Sequence, residues 1–343
     1  MKKTKLTLKD VAQQLGVSTA TISNAFNRPD QLSKGKREEI LAQCERIGYS
    51  GPNKAAQILR KGTSNIVALV LADSIAYMVS DPVASTFIKG VSTTLQQQGK
   101  HLLLYAGDSN SILDVVDFVD GFICYGAPRN YKLAQEIAAQ SKPAITVDFD
   151  IDDVPSINID NENAAYEVAK AAIDENDIVA ILGLRLIDSP TTCRIYDSPL
   201  IDVNSSISHR RLDGYVRAAK EQGIEINNEW IWHLPESDRS YARQAAKEVL
   251  MSSPRPNTVL CMSDIIALEL LHSALAMGID VPNELKITGF DGIEEADRAR
   301  PHLTTVCQSS VAKGEAAANA LLSGESRKQI LPFDLKLGET VHS

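Results

Sequence analysis

The sequence predicts an all-α head joined to an α/β body of two parallel-sheet, Rossmann-like subdomains. Three observations carry this. The first 62 residues hold helical apolar patterns separated by a glycine, while the rest alternates continuous β-branched runs with helical segments. Charge divides at the same place: residues 1–62 carry twelve basic and five acidic side chains, net +7, and the remainder carries −16, giving −9 for the chain. The length of 343 residues suits two or three units of about 100–150 residues each. Aromatic residues make up only 5%, so the core must be built from Leu, Ile, Val and Ala.

In the head, Thr7-Leu8-Lys9-Asp10 reads as a helix start, with a hydroxyl followed three residues later by an acid. Leu8, Val11, Ala12 and Leu15 share one helical face, and Gly16 ends the helix. Ser18 caps a second helix through Ala25, with Ile22 and Ala25 inward and Thr19, Ala20, Ser23 and Asn24 outward. Arg28-Pro29-Asp30 ends it. Ser33 caps a third helix through Ile40, Leu41, Cys44 and Ile47, closed by Gly48. A helix, a glycine-bearing turn and a second helix with a short polar face describe a helix-turn-helix. Small side chains let the backbone approach base edges, and hydroxyls with an Asn supply donors and acceptors. A three-helix interaction module is the alternative at this stage. Pro52 and Asn53 start a further helix over 52–61, about two turns long and marginal alone in water; it reads as a segment that orders on DNA or as a plain linker.

In the body, strands are expected at Ile66–Leu71, His101–Tyr105, Phe122–Tyr125, Ala144–Val147, Ile178–Leu182, Val259–Met262 and Leu285–Phe290. Helices interpose at about 84–98, 161–174, 208–222, 239–252 and 264–277. Continuous apolar strands separated by helices argue for parallel sheets covered on both faces, and the length needs two of them. Ligands bind beyond the carboxyl ends of such strands, so two facing sheets make a cleft.

Composition excludes several classes. The five cysteines are scattered without a Cys-x-x-Cys pair, which points to free thiols in a reducing cytoplasm and to no metal site. No apolar run has signal-peptide or membrane-spanning length. There is no Gly-x-Gly-x-x-Gly, no phosphate loop and no His-Glu-x-x-His, so neither an enzyme nor a cofactor is expected. The six histidines read as surface or packing residues. A periplasmic-type small-molecule-binding protein without DNA-binding function is the alternative for the body, but the basic head has no place in it.

Leu8-Lys9-Asp10-Val11-Ala12, Leu15-Gly16-Val17-Ser18, Thr21-Ile22-Ser23, Asn27, Gly48-Tyr49 and Pro52-Asn53 together resemble the head of the lactose-repressor/galactose-repressor (LacI/GalR) family of bacterial transcriptional regulators. Markers in the body extend the resemblance: Val119-Asp120-Gly121-Phe122-Ile123, Arg211-Leu212-Asp213-Gly214-Tyr215, Ser263-Asp264, Gly289-Phe290-Asp291 and Leu303-Thr304-Thr305-Val306. The resemblance implies a periplasmic-binding-protein-like sensor behind a DNA-binding head. It places base-reading positions at Thr19, Ala20 and Asn24, and phosphate contacts at Ser18, Thr21, Ser23 and Asn27. A hinge leucine that wedges into the minor groove falls on Leu59, with Ala56 beside it; such a wedge kinks the duplex and brings more protein onto it. Effector contacts carry over to Asp160, Arg211, Ser263 and Asp291, and further to Asp73, Ser74, Asp81, Pro235 and Ser310. Arg211 with Asp291 suits a hydroxylated ligand, or else forms an internal salt bridge.

The implied domains are a head over 1–50, a hinge over 51–63, a first subdomain over 64–161 plus 309–328, and a second over 162–308 plus 329–343, with chain crossings near 161, 308 and 328. The expected protein is a dimer, the tetramer-forming tail being absent. It binds a palindromic operator, without any membrane association, and represses under control of a small-molecule effector. Some features depart from the family pattern. Gln57 stands in place of a usual Arg, Asn24 in place of a commonly basic residue, and Gly51 is an extra residue. Val83 and Ala84 replace an aromatic pair, the segment 105–119 is short and expected to have lost most of a helix, and 184–208 is rich in Asp and Ser.

Overall fold

The computed structural model describes residues 6–51, 62–151, 153–201 and 206–342. The chain divides into two compact units, Met1–Ser64 and Asn65–Ser343.

The head holds helices α1 (Leu8–Leu15), α2 (Thr19–Asn27) and α3 (Lys34–Arg46). The Thr7 hydroxyl and the Asp10 carboxylate cap α1 reciprocally, and Gly16, at φ 66°, closes it in the left-handed conformation that glycine adopts without strain. Ser18 and Ser33 cap α2 and α3 as their positions predict. Val11, Ala12, Ile22, Ala25, Ile40 and Cys44 fill the core, and the Phe26 and Tyr49 rings meet edge to face at 5.9 Å. The extra Gly51, at φ 115°, lies against the Phe26 ring, where a Cβ would come within 3.1 Å.

The body contains two sheets. Among the described residues the first is six-stranded and wholly parallel, in the order β12-β5-β4-β3-β1-β2. Its strands are β1 (Ile66–Leu71), β2 (His101–Tyr105), β3 (Gly121–Tyr125), β4 (Ala144–Val147), β5 (Ser156–Ile159) and β12 (Gln329–Leu331). The second has the order β13-β11-β10-β9-β6-β8-β7 and comprises β6 (Val179–Leu184), β7 (Cys193–Arg194), β8 (Ile231–Leu234), β9 (Thr258–Cys261), β10 (Lys286–Asp291), β11 (Thr304–Cys307) and β13 (Asp334–Lys336). Among the described residues only its edge strands β7 and β13 run antiparallel.

Both faces of each sheet are covered, which explains the continuous apolar runs. Val67, Leu69 and Leu71 of β1 pack on Phe87, Val91 and Leu321 of the helices Pro82–Gln97 and Ser310–Ser323, while Ala68 and Val70 face Leu133 and Ile137 of the helix Tyr131–Ala138. Burying one such Leu or Phe stabilises by about 1.5–3 kcal/mol. The helices Pro82–Gln97 and Ser310–Ser323 cross at Gly90 and Gly314, where a Cβ would meet partner backbone at 2.2 and 2.3 Å, so only glycine permits that approach.

One expectation needs correction. The crossing expected near 328 lies at 332–333, because β12 pairs in parallel with β5 (Gln329 opposite Ile157, Leu331 opposite Ile159) and so belongs to the first sheet. Pro332, with no N–H to donate, follows the strand directly. In the short 105–119 segment, 3₁₀ turns at Ile112–Asp114 and Val116–Phe118 stand where the family pattern has a helix, in line with the expected loss. Glu136 holds the first turn by accepting from the Ser111 hydroxyl and the Ile112 N–H, and Ile112 is fully buried. All five cysteines are free thiols.

Candidate DNA interface and ligand cleft

In α2 the Ser18 Oγ accepts from the Thr21 backbone N–H at 3.0 Å, which sets the start of the helix. Ile22 and Ala25 are fully buried, so rotation of the helix is fixed and Ser18, Thr19, Ala20 and Asn27 stand exposed. Thr21, Ser23 and Asn24 are half-buried along the flanks. Asn27 Nδ2 donates to the Ser23 carbonyl at 3.1 Å, and Arg37 Nε donates to the Ala25 carbonyl at 3.0 Å, tying α3 to α2. The exposed first turn thus carries short side chains at a helix N-terminus, the end that favours anions. The hinge positions Ala56 and Leu59 lie outside the described residues.

Between the carboxyl ends of the two sheets lies a cavity of about 920 Å³. Asp73, Asp81, Arg211, Pro235, Ser263 and Asp291 line it. Arg211 is buried by the ring of Phe290, 3.6 Å from its guanidinium carbon, and donates through Nε to Asn161 Oδ1 at 3.0 Å and through Nη1 to the Met262 carbonyl at 2.6 Å. Its Nη1 is 3.6 Å from Asp291 Oδ1. Asp291, at φ 124°, accepts from Gln308 Nε2 at 2.7 Å. Burial pushes the Asp291 carboxyl well above the usual range; Arg211 opposes this, and Asp264 and Asp81 reinforce it. Burial likewise raises Asp81, against the N–H groups of Ala84 and Val83 at the start of its helix. It raises Asp264 to about 6, against hydrogen bonds from Thr305, Ile293 and Gly292.

The walls meet across the mouth. The Tyr77 hydroxyl of the first subdomain accepts from the Ser237 N–H of the second at 3.0 Å. Arg129 bridges Asp73 at 2.6 Å and Glu236 at 2.9 Å. Ser237 and Ser263 hydroxyls lie 2.7 Å apart.

Three expected contacts lie elsewhere. Ser74 and Asp160 cap helices: the Ser74 hydroxyl accepts from the Tyr77 N–H, and Asp160 Oδ1 accepts from the Asn163 N–H at 3.0 Å. Ser310 is the first residue of the helix Ser310–Ser323, and Gln308, two residues earlier, lines the cavity instead. Sequence reasoning also missed Tyr125, Asp148, Arg185 and His233, all lining residues. Each sits at or just after the carboxyl end of a parallel strand, a signal that identifies them once strand ends are known.

His233 organises the unusual 184–208 segment. On β8 and 1% exposed, its Nδ1 accepts from the Leu186 and Ile187 N–H groups at 3.1 and 3.3 Å, and its Nε2 lies 3.0 Å from the Ser189 carbonyl. This pattern needs a neutral ring protonated at Nε2. Burial lowers the His233 pKa from 6.5, with the Ser189 carbonyl opposing and Arg185 reinforcing. A depressed histidine contributes stability that is fully present above pH 6.5 and is lost as pH falls below it. Asp264 has the opposite sign, its contribution being lost as pH rises through about 6, so total stability mixes the two. The expected result is a stability advantage of wild type over His233→Asn in urea titrations that is larger at pH 7.5 than at pH 5. An advantage independent of pH rules out this role for the ring.

The two units define a class of protein: a helix-turn-helix DNA-binding module with a sensor of periplasmic-binding type. Residues 7–53 match the bacterial regulatory proteins, lacI family, and residues 198–332 match the periplasmic binding protein-like domain. The HTH-type transcriptional regulator Rv3575c of Mycobacterium tuberculosis is 34% identical over 351 residues, covering 97% of this chain and 96% of that protein. The HTH-type transcriptional repressor CytR of Escherichia coli K12 is 28% identical over 332 residues, covering 93% and 89%. A LacI-family transcriptional regulator of known structure from Corynebacterium glutamicum superposes with a TM-score of 0.68 at 26% identity, covering 99% of this chain and all of that one. The CelR–cellobiose complex shares the fold, with a TM-score of 0.68 at 22% identity over 98% of this chain and 99% of that one. The chain belongs to the LacI family and is a DNA-binding transcriptional regulator.

Proposed function

We propose that the protein is a cytoplasmic repressor that binds a near-palindromic operator as a homodimer, controlled by a sugar or related polyhydroxylated effector in the cleft. The observation that carries the DNA part is the exposed, capped first turn of α2 in a segment of net charge +7. Thr19, Ala20 and Asn24 read bases; Ser18, Thr21, Ser23 and Asn27 hold phosphates; Leu59, with Ala56, wedges the minor groove. The two recognition helices enter major grooves about one turn apart. Repression is supported by the relative named as a repressor. In the cleft, carboxylates and a guanidinium at Asp73, Asp81, Asp291 and Arg211 accept from and donate to ligand hydroxyls, with Ser263 and Pro235 beside them. Effector binding changes operator affinity through the angle between subdomains, a coupling of about 1–3 kcal/mol.

The test is selection of bound sequences from a random DNA pool, followed by titration at two salt concentrations. The expected outcome is a palindrome with a central pyrimidine–purine step whose affinity falls roughly a thousandfold or more between about 50 and 200 mM salt. Enrichment of no sequence, with and without a metabolite mixture, overturns the reading.

A further inference from the structure

Lys313, on the helix Ser310–Ser323, is 1% exposed. A buried ammonium is tolerated only when hydrogen-bonded and paired. Its Nζ donates to both oxygens of Asp148, at 2.8 and 3.0 Å, and to the amide oxygen of Gln308 at 2.5 Å. With that oxygen facing the ammonium, Gln308 Nε2 donates to Asp291 Oδ1. Gln308 lies where the chain passes from β11 of the second sheet to the helix that covers the first. The hydrogen bonds therefore run from Asp148 of the first subdomain, through this crossing, to the cleft carboxylate of the second.

An amide has a donor end and an acceptor end, whereas an ammonium only donates. If Gln308 flipped, its NH₂ would face the ammonium and its oxygen would face the Asp291 carboxylate, so both contacts would become repulsive. We infer that Lys313 is a positioning residue of the cleft: it fixes the Gln308 amide so that Asp291 is aimed and held, and it withholds Asp148 from ligand. Asp148 lines the cavity, but both of its oxygens face Lys313. Asp291 has Oδ1 engaged by Gln308, and its Oδ2 serves as the acceptor for ligand. An ion pair serving only for stability would not need Gln308, since a well-packed apolar pair of similar volume does as well or better. The inference rests on the cleft being the ligand site.

The experiment removes the pair as a neutral unit, Lys313→Met with Asp148→Leu, and follows Asp291 by NMR of ¹³C-labelled aspartate, assigned through Asp291→Asn. Arg211 and Lys313 face Asp291 with positive charge, and Asp264 and Asp81 with negative charge. Removing Lys313 together with Asp148 keeps the net charge but still takes away the Lys313 charge that lowers Asp291, so Gln308→Leu, which leaves both charges in place, is the variant that reports the hydrogen bond alone. The double variant and Gln308→Leu are each expected to raise the Asp291 midpoint by about one pH unit, the effect of losing one hydrogen bond to the charged form. If the double variant lacks a cooperative unfolding transition, Lys313→Met with Asp148→Asn keeps a polar side chain at 148 and is read in the same way. An Asp291 midpoint equal to wild type in either the folded double variant or Gln308→Leu overturns the inference. The titration uses neither DNA nor ligand, so its outcome is separate from that of operator selection.

Discussion

Replacing Arg211 by methionine is expected to lower the free energy of unfolding by about 3–5 kcal/mol, the range for a buried ion pair that loses one partner. Methionine fills much of the volume but restores none of the hydrogen bonds. Asn161 Oδ1 and the Met262 carbonyl lose their donors, and the stacking on Phe290 is gone. Asp291 loses the cation that opposes its raised pKa. Without Arg211 it takes up a proton more readily, which limits the damage at low pH. The deficit is therefore expected to be larger at pH 8 than at pH 6, and Asp291→Asn in the Arg211→Met background should recover part of it. Urea titrations of wild type, Arg211→Met and the double variant at the two pH values make the comparison, and an unchanged m-value shows that the unfolding reaction is the same. A loss below about 1 kcal/mol at both pH values would place the stabilising weight of this network elsewhere than on the buried ion pair.

How far the sequence reveals this arrangement depends on the kind of residue. The strands His101–Tyr105 and Ala144–Val147 match to the residue, because both are short apolar runs bounded by Gly-Lys and Lys-Pro. The strand Ser156–Ile159 is fully buried, yet its sequence Ser-Ile-Asn-Ile carries no continuous apolar run; its polar side chains are held in place by hydrogen bonds from Asn158 Nδ2 to Ser156 Oγ and Asp150 and from the Ser156 hydroxyl to Asp150. The helix Ser310–Ser323 escapes for the opposite reason: its alanines and glycine reflect close helix packing, which periodicity does not register. In the cleft, Arg211 and Asp291 are legible because they stand in recognisable motifs. His233 and Lys313 are not, because what they do depends on groups 44 to 47 and 165 residues away in sequence. Ser74 and Asp160 are the converse case: neither is among the residues that line the cavity. Both are adjacent to cleft segments, but a serine or aspartate at a helix start is already engaged by the helix's own N–H groups.

For the head, the substitution with the largest expected effect on DNA is Thr19→Glu. Thr19 is the first residue of α2 and is exposed, so the longer side chain meets no packing constraint. A carboxylate in the first helical turn interacts favourably with the helix dipole, by about 0.3–1 kcal/mol, so folding should be unharmed or slightly improved. On DNA the same charge enters the negative field of the duplex at a base-reading position and should weaken both specific and non-specific binding, the specific complex by about a hundredfold, or roughly 2.7 kcal/mol. Thr19→Ala separates the two contributions. It removes a hydroxyl without adding charge, so it should leave the salt dependence unchanged while relaxing discrimination at one base position by about 1–3 kcal/mol. Melting temperatures of both variants, together with titrations on the selected operator and a scrambled duplex at two salt concentrations, give the readout. If Thr19→Glu binds the operator as wild type does, with its fold intact, α2 does not present its first turn to DNA, and base reading must be sought on another face of the head.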